Sequence, residues 1–154
     1  MATKEPELVL VPATLQHVHL IASRMRKEDR AEVMASAGFR PAQAVRVCLR
    51  GSELARTVFV GGEVLAMFGV KAGDEVSIPW LLTTDAVERH PMAFWRASKA
   101  VLRELRALYP LMAQAIDARH VRAVSWARRL GFTVGDTIPY GKAGLPFHPV
   151  ALGV

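Results

Sequence analysis

The stretch Arg56-Thr57-Val58-Phe59-Val60, Gly61-Gly62, Glu63-Val64-Leu65-Ala66-Met67-Phe68-Gly69-Val70 limits the fold more than any other part of the chain. Two runs rich in β-branched and aromatic residues, separated by a glycine pair, predict antiparallel strands closed by a tight turn, because glycine accepts the positive φ such turns demand. After the polar turn Lys71 to Glu75, the run Val76 to Thr83 predicts the third strand of a meander. Pro79 lies inside it without an amide to give a ladder, so a bulge or interruption is expected there. Whatever else the chain does, it is built on an antiparallel sheet.

Helical spacing surrounds this meander. Leu8 to Val11 predicts a short buried strand broken by Pro12, and Thr14 supplies an N-cap for a helix whose Leu15, Val18, Ile21, Ala22 and Met25 share one face. Glu28 to Ala37 and Pro41 to Leu49 follow as helices ended by Gly38 and Gly51. Pro91 to Tyr109 is the longest helical pattern, with an apolar face (Phe94, Ala97, Val101, Leu105, Leu108) and a basic stripe (Arg96, Lys99, Arg103, Arg106). Leu111 to Ile116 predicts a strand. The stretch Asp117 to Phe132, DARHVRAVSWARRLGF, carries a last helix with Ala123, Trp126, Ala127 and Leu130 on one face. Two strands, Phe132 to Ile138 and Phe147 to Leu152, close the chain. This order predicts an α/β (α+β) protein: one domain over residues 1–154, with a mixed central sheet of about six or seven strands flanked by helices. Apolar residues make up 51% of the chain, enough for one substantial core.

Several function classes fall away. Cys48 is the only cysteine, which excludes an intramolecular disulfide and any site needing several thiolates. The apolar run Leu8 to Val11 sits behind Glu5 and Glu7 and is cut by Pro12. It is too short for a signal-peptide core or a membrane span, so a soluble, unexported protein without a membrane partner is expected. His17 and His19 point about 200° apart on a helix, so no metal is expected. Glu63 and Glu75 are the acidic candidates for a base near the meander, but both stand at turn boundaries, where solvated carboxylates are normal. Ser125 and Cys48 have no base near them in sequence to activate a nucleophile. Trp80, Trp95 and Trp126 read as packing residues. A net charge of +6 biases the surface toward phosphates, nucleic acid or an acidic partner. No recognised nucleic-acid motif accompanies it, so sequence-specific readout is not expected. The sequence leaves homo-oligomerisation open.

The order of elements, the opening Leu10-Val11-Pro12-Ala13-Thr14 and the closing Leu130-Gly131-Phe132 resemble the GNAT acyltransferase superfamily over nearly the whole chain. The resemblance implies that fold, and acetyl-CoA held at Val76 to Thr83 and Pro91 to Tyr109. Family members usually carry R/Q-x-x-G-x-G/A between these elements, where glycines let backbone amides approach a pyrophosphate. Here Thr83 to Phe94 contains no glycine; starting the motif at Arg89 puts Met92 and Phe94 on its glycine positions, and Pro91 removes a donor. A second signature, N-x-x-A-x-x-F-Y-x-x-x-G-F, lies on His120 to Phe132. Ala123, Trp126 and Gly131-Phe132 match it, but His120 replaces the asparagine and Ala127 the tyrosine that often protonates the CoA thiolate. Packing positions are kept and chemical ones are not. No catalytic residue is singled out and no cofactor is expected. Should acetyl-CoA bind, the resemblance places it on the backbone of Trp80, Leu81, Leu82 and Thr83 and on Arg89, His90, His120 or Arg122, in an acyltransferase acting on an amine or protein substrate.

Four further pieces resemble the GNAT-like proteins of short-tailed podophages. They are Arg24-Met25-Arg26-x-x-Asp29-Arg30-Ala31-Glu32-Val33, Met67-Phe68-Gly69-Val70, Pro79-Trp80-Leu81-Leu82-x-Thr84 and Asp117-Ala118-Arg119-x-x-Arg122-Ala123. This narrower resemblance implies a phage or prophage protein without efficient acetyl transfer. It would act in virion assembly through virion or assembly proteins, in the bacterial host cytoplasm or in the virion as an internal protein.

Overall fold

A computed structural model describes residues 7–153; Glu5 and the outermost residues of the expected 1–154 domain lie outside the described residues. The hairpin forms as its glycines require: β2 (Leu54–Val60) and β3 (Glu63–Lys71) are joined by Gly61 and Gly62 with φ of 57° and 79°. β4 (Ile78–Thr83) extends the meander, and β1 (Leu8–Pro12) pairs with β2 on the other side, giving an antiparallel sheet in the order β1-β2-β3-β4. The interruption expected at Pro79 does not occur. Pro79 pairs with Val70 in unbroken register, and its carbonyl faces away from β3 to accept from the Gln114 side chain, so no ladder bond needs its missing amide.

The irregularity lies one strand earlier. Val58 opposes Ala66 while Phe59 opposes Val64, so Leu65 is an extra residue in β3. The bulge resets the alternation of β3: Val64 and Met67 enter one apolar cluster, Leu65 and Phe68 the opposite one. Thr84 takes up the freed backbone, donating its amide to the Leu65 carbonyl at 3.0 Å and its hydroxyl to the Val64 carbonyl at 2.8 Å. At Gly69 a Cβ would lie 2.6 Å from the Trp80 ring, so glycine lets this indole lie across the strand, where its Nε1 donates to Ser52 Oγ.

Helices cover both faces. The first is shorter than its apolar spacing predicts: a 3-10 turn, Leu15–His17, leads into α1 (Val18–Ala22). The Arg30 guanidinium then caps the chain's exit, donating to the carbonyls of Ala22 and Met25 at 3.1 and 2.8 Å. α2 (Lys27–Ala37) ends at Gly38 with φ of 72°, and α3 (Pro41–Arg50) starts on its proline. α1 and α3 pack on the Val64/Met67 face. On the other face lie α4 (Ala86–Arg89), a short helix the sequence did not suggest, and α5 (Pro91–Leu108).

The second half is another antiparallel sheet. β8 (Leu145–Leu152) pairs with β5 (Met112–Asp117), β6 (Thr133–Val134) and β7 (Ile138–Tyr140). The single strand expected over Phe132 to Ile138 is split, because the chain turns at Gly135, whose amide donates to the Pro149 carbonyl at 2.8 Å. α6 (Val121–Leu130) packs on this sheet through Val124 and Ala127 and ends at Gly131 with φ of 103°. Among the described residues the two ladders are joined by a parallel bridge between Ser77 and Met112, so the arrangement is mixed at its seam. Val70, Leu105, Met112 and Leu152 weld the halves there.

Candidate functional site

Beyond that seam β4 and β5 part. Ser77 donates to the Leu111 carbonyl, Ala113 to that of Ser77, and the Gln114 amide to that of Pro79, at 3.0, 3.0 and 2.9 Å. Past these bonds a cleft of about 770 Å³ opens, walled by β4, α2, α5 and α6. Phe94, Val101, Leu105, Trp126, Leu130 and Phe132 give it apolar walls. Phe94 and Trp126 stack with ring centroids 6.0 Å apart, and Trp126 Nε1 donates to Ser98 Oγ. Pro79 C=O and Thr83 N–H both point across the gap, and strand alternation puts the amide and carbonyl of Leu81 on the same edge.

A buried polar cluster ties the two sides of this cleft together. Asp29, on α2, accepts the Thr83 amide at 2.7 Å and the Thr83 hydroxyl at 2.5 Å on one oxygen, and faces His120 Nε2 at 3.0 Å with the other. One carboxylate thus joins β4 to the start of α6. One helical turn along α2, Glu32 accepts the Asp117 amide at 3.1 Å, and Asp117 is held by Arg119. Burial and the neighbouring Asp29 push Glu32 up to about 7. Burial opposes charge on His120, but the hydrogen bond to Asp29 together with the charges of Asp29 and Glu32 outweighs it and raises its pKa. Burial likewise opposes ionisation of Asp117, and the bonds from Arg119 overcome it, lowering its pKa. Two buried atoms lining this cleft, Arg26 Nε and His120 Nδ1, have no hydrogen-bond partner among the described residues.

The loop from β4 to α5 is closed on itself. The amides of Thr83, Thr84, Asp85, Ala86, Val87, Glu88 and His90 all donate to protein acceptors: the Asp29 carboxylate, the carbonyls of Leu65 and Arg24, Thr84 Oγ1, and the carbonyls of Thr84, Asp85 and Ala86 in turn. Pro91 has no amide to offer.

Of the residues the sequence singled out, Trp80, Leu81, Leu82, Thr83, His120 and Arg122 all line the cleft. Arg89 and His90 do not; together with Arg24 they surround Glu63. Their hydrogen bonds, Arg24's foremost, pull Glu63 down to about 2, which removes it as a base at neutral pH. Glu75 stays in the exposed turn before β4. Burial pushes the Cys48 thiol up to about 11, so it is protonated and inert at neutral pH. His17 faces Thr57, and among the described residues no His, Cys, Asp and Glu gather as a metal site. Among them, too, no helix is long and apolar enough to cross a membrane. Sequence reasoning did not single out Asp29, Glu32 or Arg26 as site residues, though their presence together in R-M-R-x-x-D-R-A-E-V and the three-residue spacing of Asp29 and Glu32 were visible.

Two split sheets with helices on both faces have close structural counterparts. An aminoglycoside N(6')-acetyltransferase from Legionella pneumophila superposes with a TM-score of 0.74 over 99% of this chain and 95% of its own, at 8% identity. A ribosomal L7/L12 alpha-N-protein acetyltransferase in complex with coenzyme A gives 0.69 over 95% and 94%, at 13% identity. An acetyltransferase of the GNAT family from Streptococcus pneumoniae gives 0.59 over 94% and 98%, at 8% identity. The chain has the GNAT fold. No protein-family model and no curated protein matches the sequence. At these identities the likeness concerns the GNAT fold alone, and in it the cleft between β4 and β5 has room for a ligand.

Proposed function

We propose that this is a GNAT-fold module that has given up efficient acetyl transfer and serves particle assembly in a short-tailed phage or prophage through protein contacts. The observation that carries the first half is the closed loop between β4 and α5. Structural neighbours include complexes with coenzyme A and acetyl-CoA, and a pyrophosphate there would need amides free to donate. In this chain those of Thr83 to Glu88 are engaged within the protein, and Glu88 at the cleft's edge adds negative charge. The stretch from Thr83 to Glu88 thus offers no free amide to the diphosphate end of the cofactor.

Support for the second half is the resemblance to podophage proteins, whose pieces converge in space. Met25 bridges to Thr84, Arg26 N–H donates to the Thr83 carbonyl, Asp29 holds Thr83 and His120, Glu32 holds the Asp117 amide, and Gly69 pairs with Trp80. Residues scattered in sequence thus form one brace across the seam, a use of sequence that serves rigidity. Deleting the coding sequence from the phage is expected to cut the yield of infectious particles while host lysis proceeds, with the protein recovered at fixed stoichiometry from purified particles or their precursors. A normal yield, with the protein absent from every assembly intermediate, contradicts the reading.

One observation favours a second reading, a divergent N-acyltransferase acting on an amine or protein. Because Asp29 takes the proton on His120 Nε2, the neutral ring carries its lone pair on Nδ1, a buried atom without a partner beside the cleft. That reading requires amine-dependent release of free thiol from acetyl-CoA, lost on His120→Ala.

A further inference from the structure

The basic stripe foreseen on α5 is half of a larger surface. Phe94 and Ser98 meet Trp126, and Trp95 meets Arg129, so α5 and α6 lie side by side. The side of α6 turned toward α5 adds Arg122 and Arg129 to Lys99, Arg103 and Arg106, all five exposed. None of the five is in an ion pair with a described carboxylate. The acid on this helix pair, Glu104, points to the other flank and is taken by Arg56 in a two-pronged bond. Trp95 gathers the charge: the Arg129 guanidinium lies 4.4 Å and the Lys99 ammonium 5.6 Å from its ring centroid.

We infer that this α5–α6 face binds the phosphate backbone of nucleic acid without reading its sequence. Four of the five cations are arginines, whose planar fork matches phosphate oxygens. At about 1.5 Å of rise per residue, Lys99 to Arg106 spans about 10 Å, a length over which a duplex carries about six charges. A protein partner would need an apolar or aromatic anchor at the centre of the patch. The exposed large apolar side chains of α5, Met92 and Leu108, stand at its two ends and not among the cations, and Trp95 is half-buried beneath its two cations. Charge without an anchor suits a polyanion of regular spacing. Arg122 and Arg129 also border the cleft, but Lys99, Arg103 and Arg106 lie outside its lining, so the inference does not depend on whether acetyl transfer occurs.

Fluorescence anisotropy with a labelled mixed-sequence 20-mer, single-stranded in one arm and duplex in the other, tests it on the full chain at 50 mM and 200 mM salt. The variant Arg103→Gln/Arg106→Gln/Arg129→Gln should bind at least about tenfold more weakly at low salt, with a log–log salt slope smaller by about one per contact removed. The matched variant Arg40→Gln/Arg46→Gln/Arg50→Gln alters the α3 side, on the opposite face of the first sheet, and should bind like the unaltered chain. Thermal melts of both variants should match it, since all six side chains are exposed. Equal losses in the two variants, or no loss in either, would overturn the assignment and leave only the attraction of a basic chain as a whole. Tighter binding to polyglutamate of matched charge than to either nucleic acid would overturn it in favour of an acidic protein.

Discussion

Asp29→Ala is expected to lower stability by about 3 to 5 kcal/mol, because it leaves the Thr83 amide, the Thr83 hydroxyl and His120 Nε2 buried with no acceptor. For a chain of this size that is a fall of about 10 °C or more in Tm. The loss should be cooperative, since the carboxylate joins β4 of one sheet to the helix packed on the other. Asp29→Asn keeps one acceptor oxygen and should fall between the two. Chemical denaturation of the three proteins checks this. A loss below about 1 kcal/mol for Asp29→Ala would show that the brace across the cleft does not hold the halves together.

The second large effect is a pH dependence centred on Glu32. Its carboxyl titrates near 7 in the folded chain against an ordinary 4.5, so the folded state holds the proton more tightly than the unfolded one. Stability is therefore lost as pH rises from about 4.5 through about 7 and levels off above. A shift of this size corresponds to about 3 kcal/mol, and partial solvent access reduces it to about 2. The raised pKa of His120 acts in the same direction, its contribution fading as pH climbs past the folded value. Glu32→Gln keeps an oxygen for the Asp117 amide and removes the charge. It should be more stable than the unaltered chain by about 2 kcal/mol at pH 8, with no gain at pH 4. Denaturant midpoints measured across that range decide it; a gain that does not vary with pH would assign the effect to packing instead.

The sequence made the scaffold legible where local chemistry decides structure. Gly61-Gly62 could only be a turn between strands, and the spacing of Phe94, Ala97, Val101 and Leu105 could only be a helix face. Features set by distant partners were not legible. Asp29 lies 54 residues from Thr83 and 91 from His120, and Glu32 lies 85 from Asp117. Nothing local says that these five meet. Pro79 misled for a related reason: a proline costs a ladder bond only if its amide faces the neighbouring strand, and here that edge faces the cleft. Arg89 and His90 stood near the expected motif but were claimed by Glu63 across the hairpin turn. That the loop from Thr83 to Phe94 lacks glycine was plain in the sequence; that the amides of Thr83 to Glu88 already have acceptors within the protein was not.

That last point carries the account and can be measured directly. Isothermal calorimetry with acetyl-CoA, at neutral pH and low salt, is expected to show no saturable heat at micromolar ligand, and Arg89→Ala and His120→Ala should leave the trace unchanged. A micromolar Kd abolished by His120→Ala would mean that the cofactor finds donors this chain has otherwise engaged, and the reading of the fold as retained architecture would be wrong.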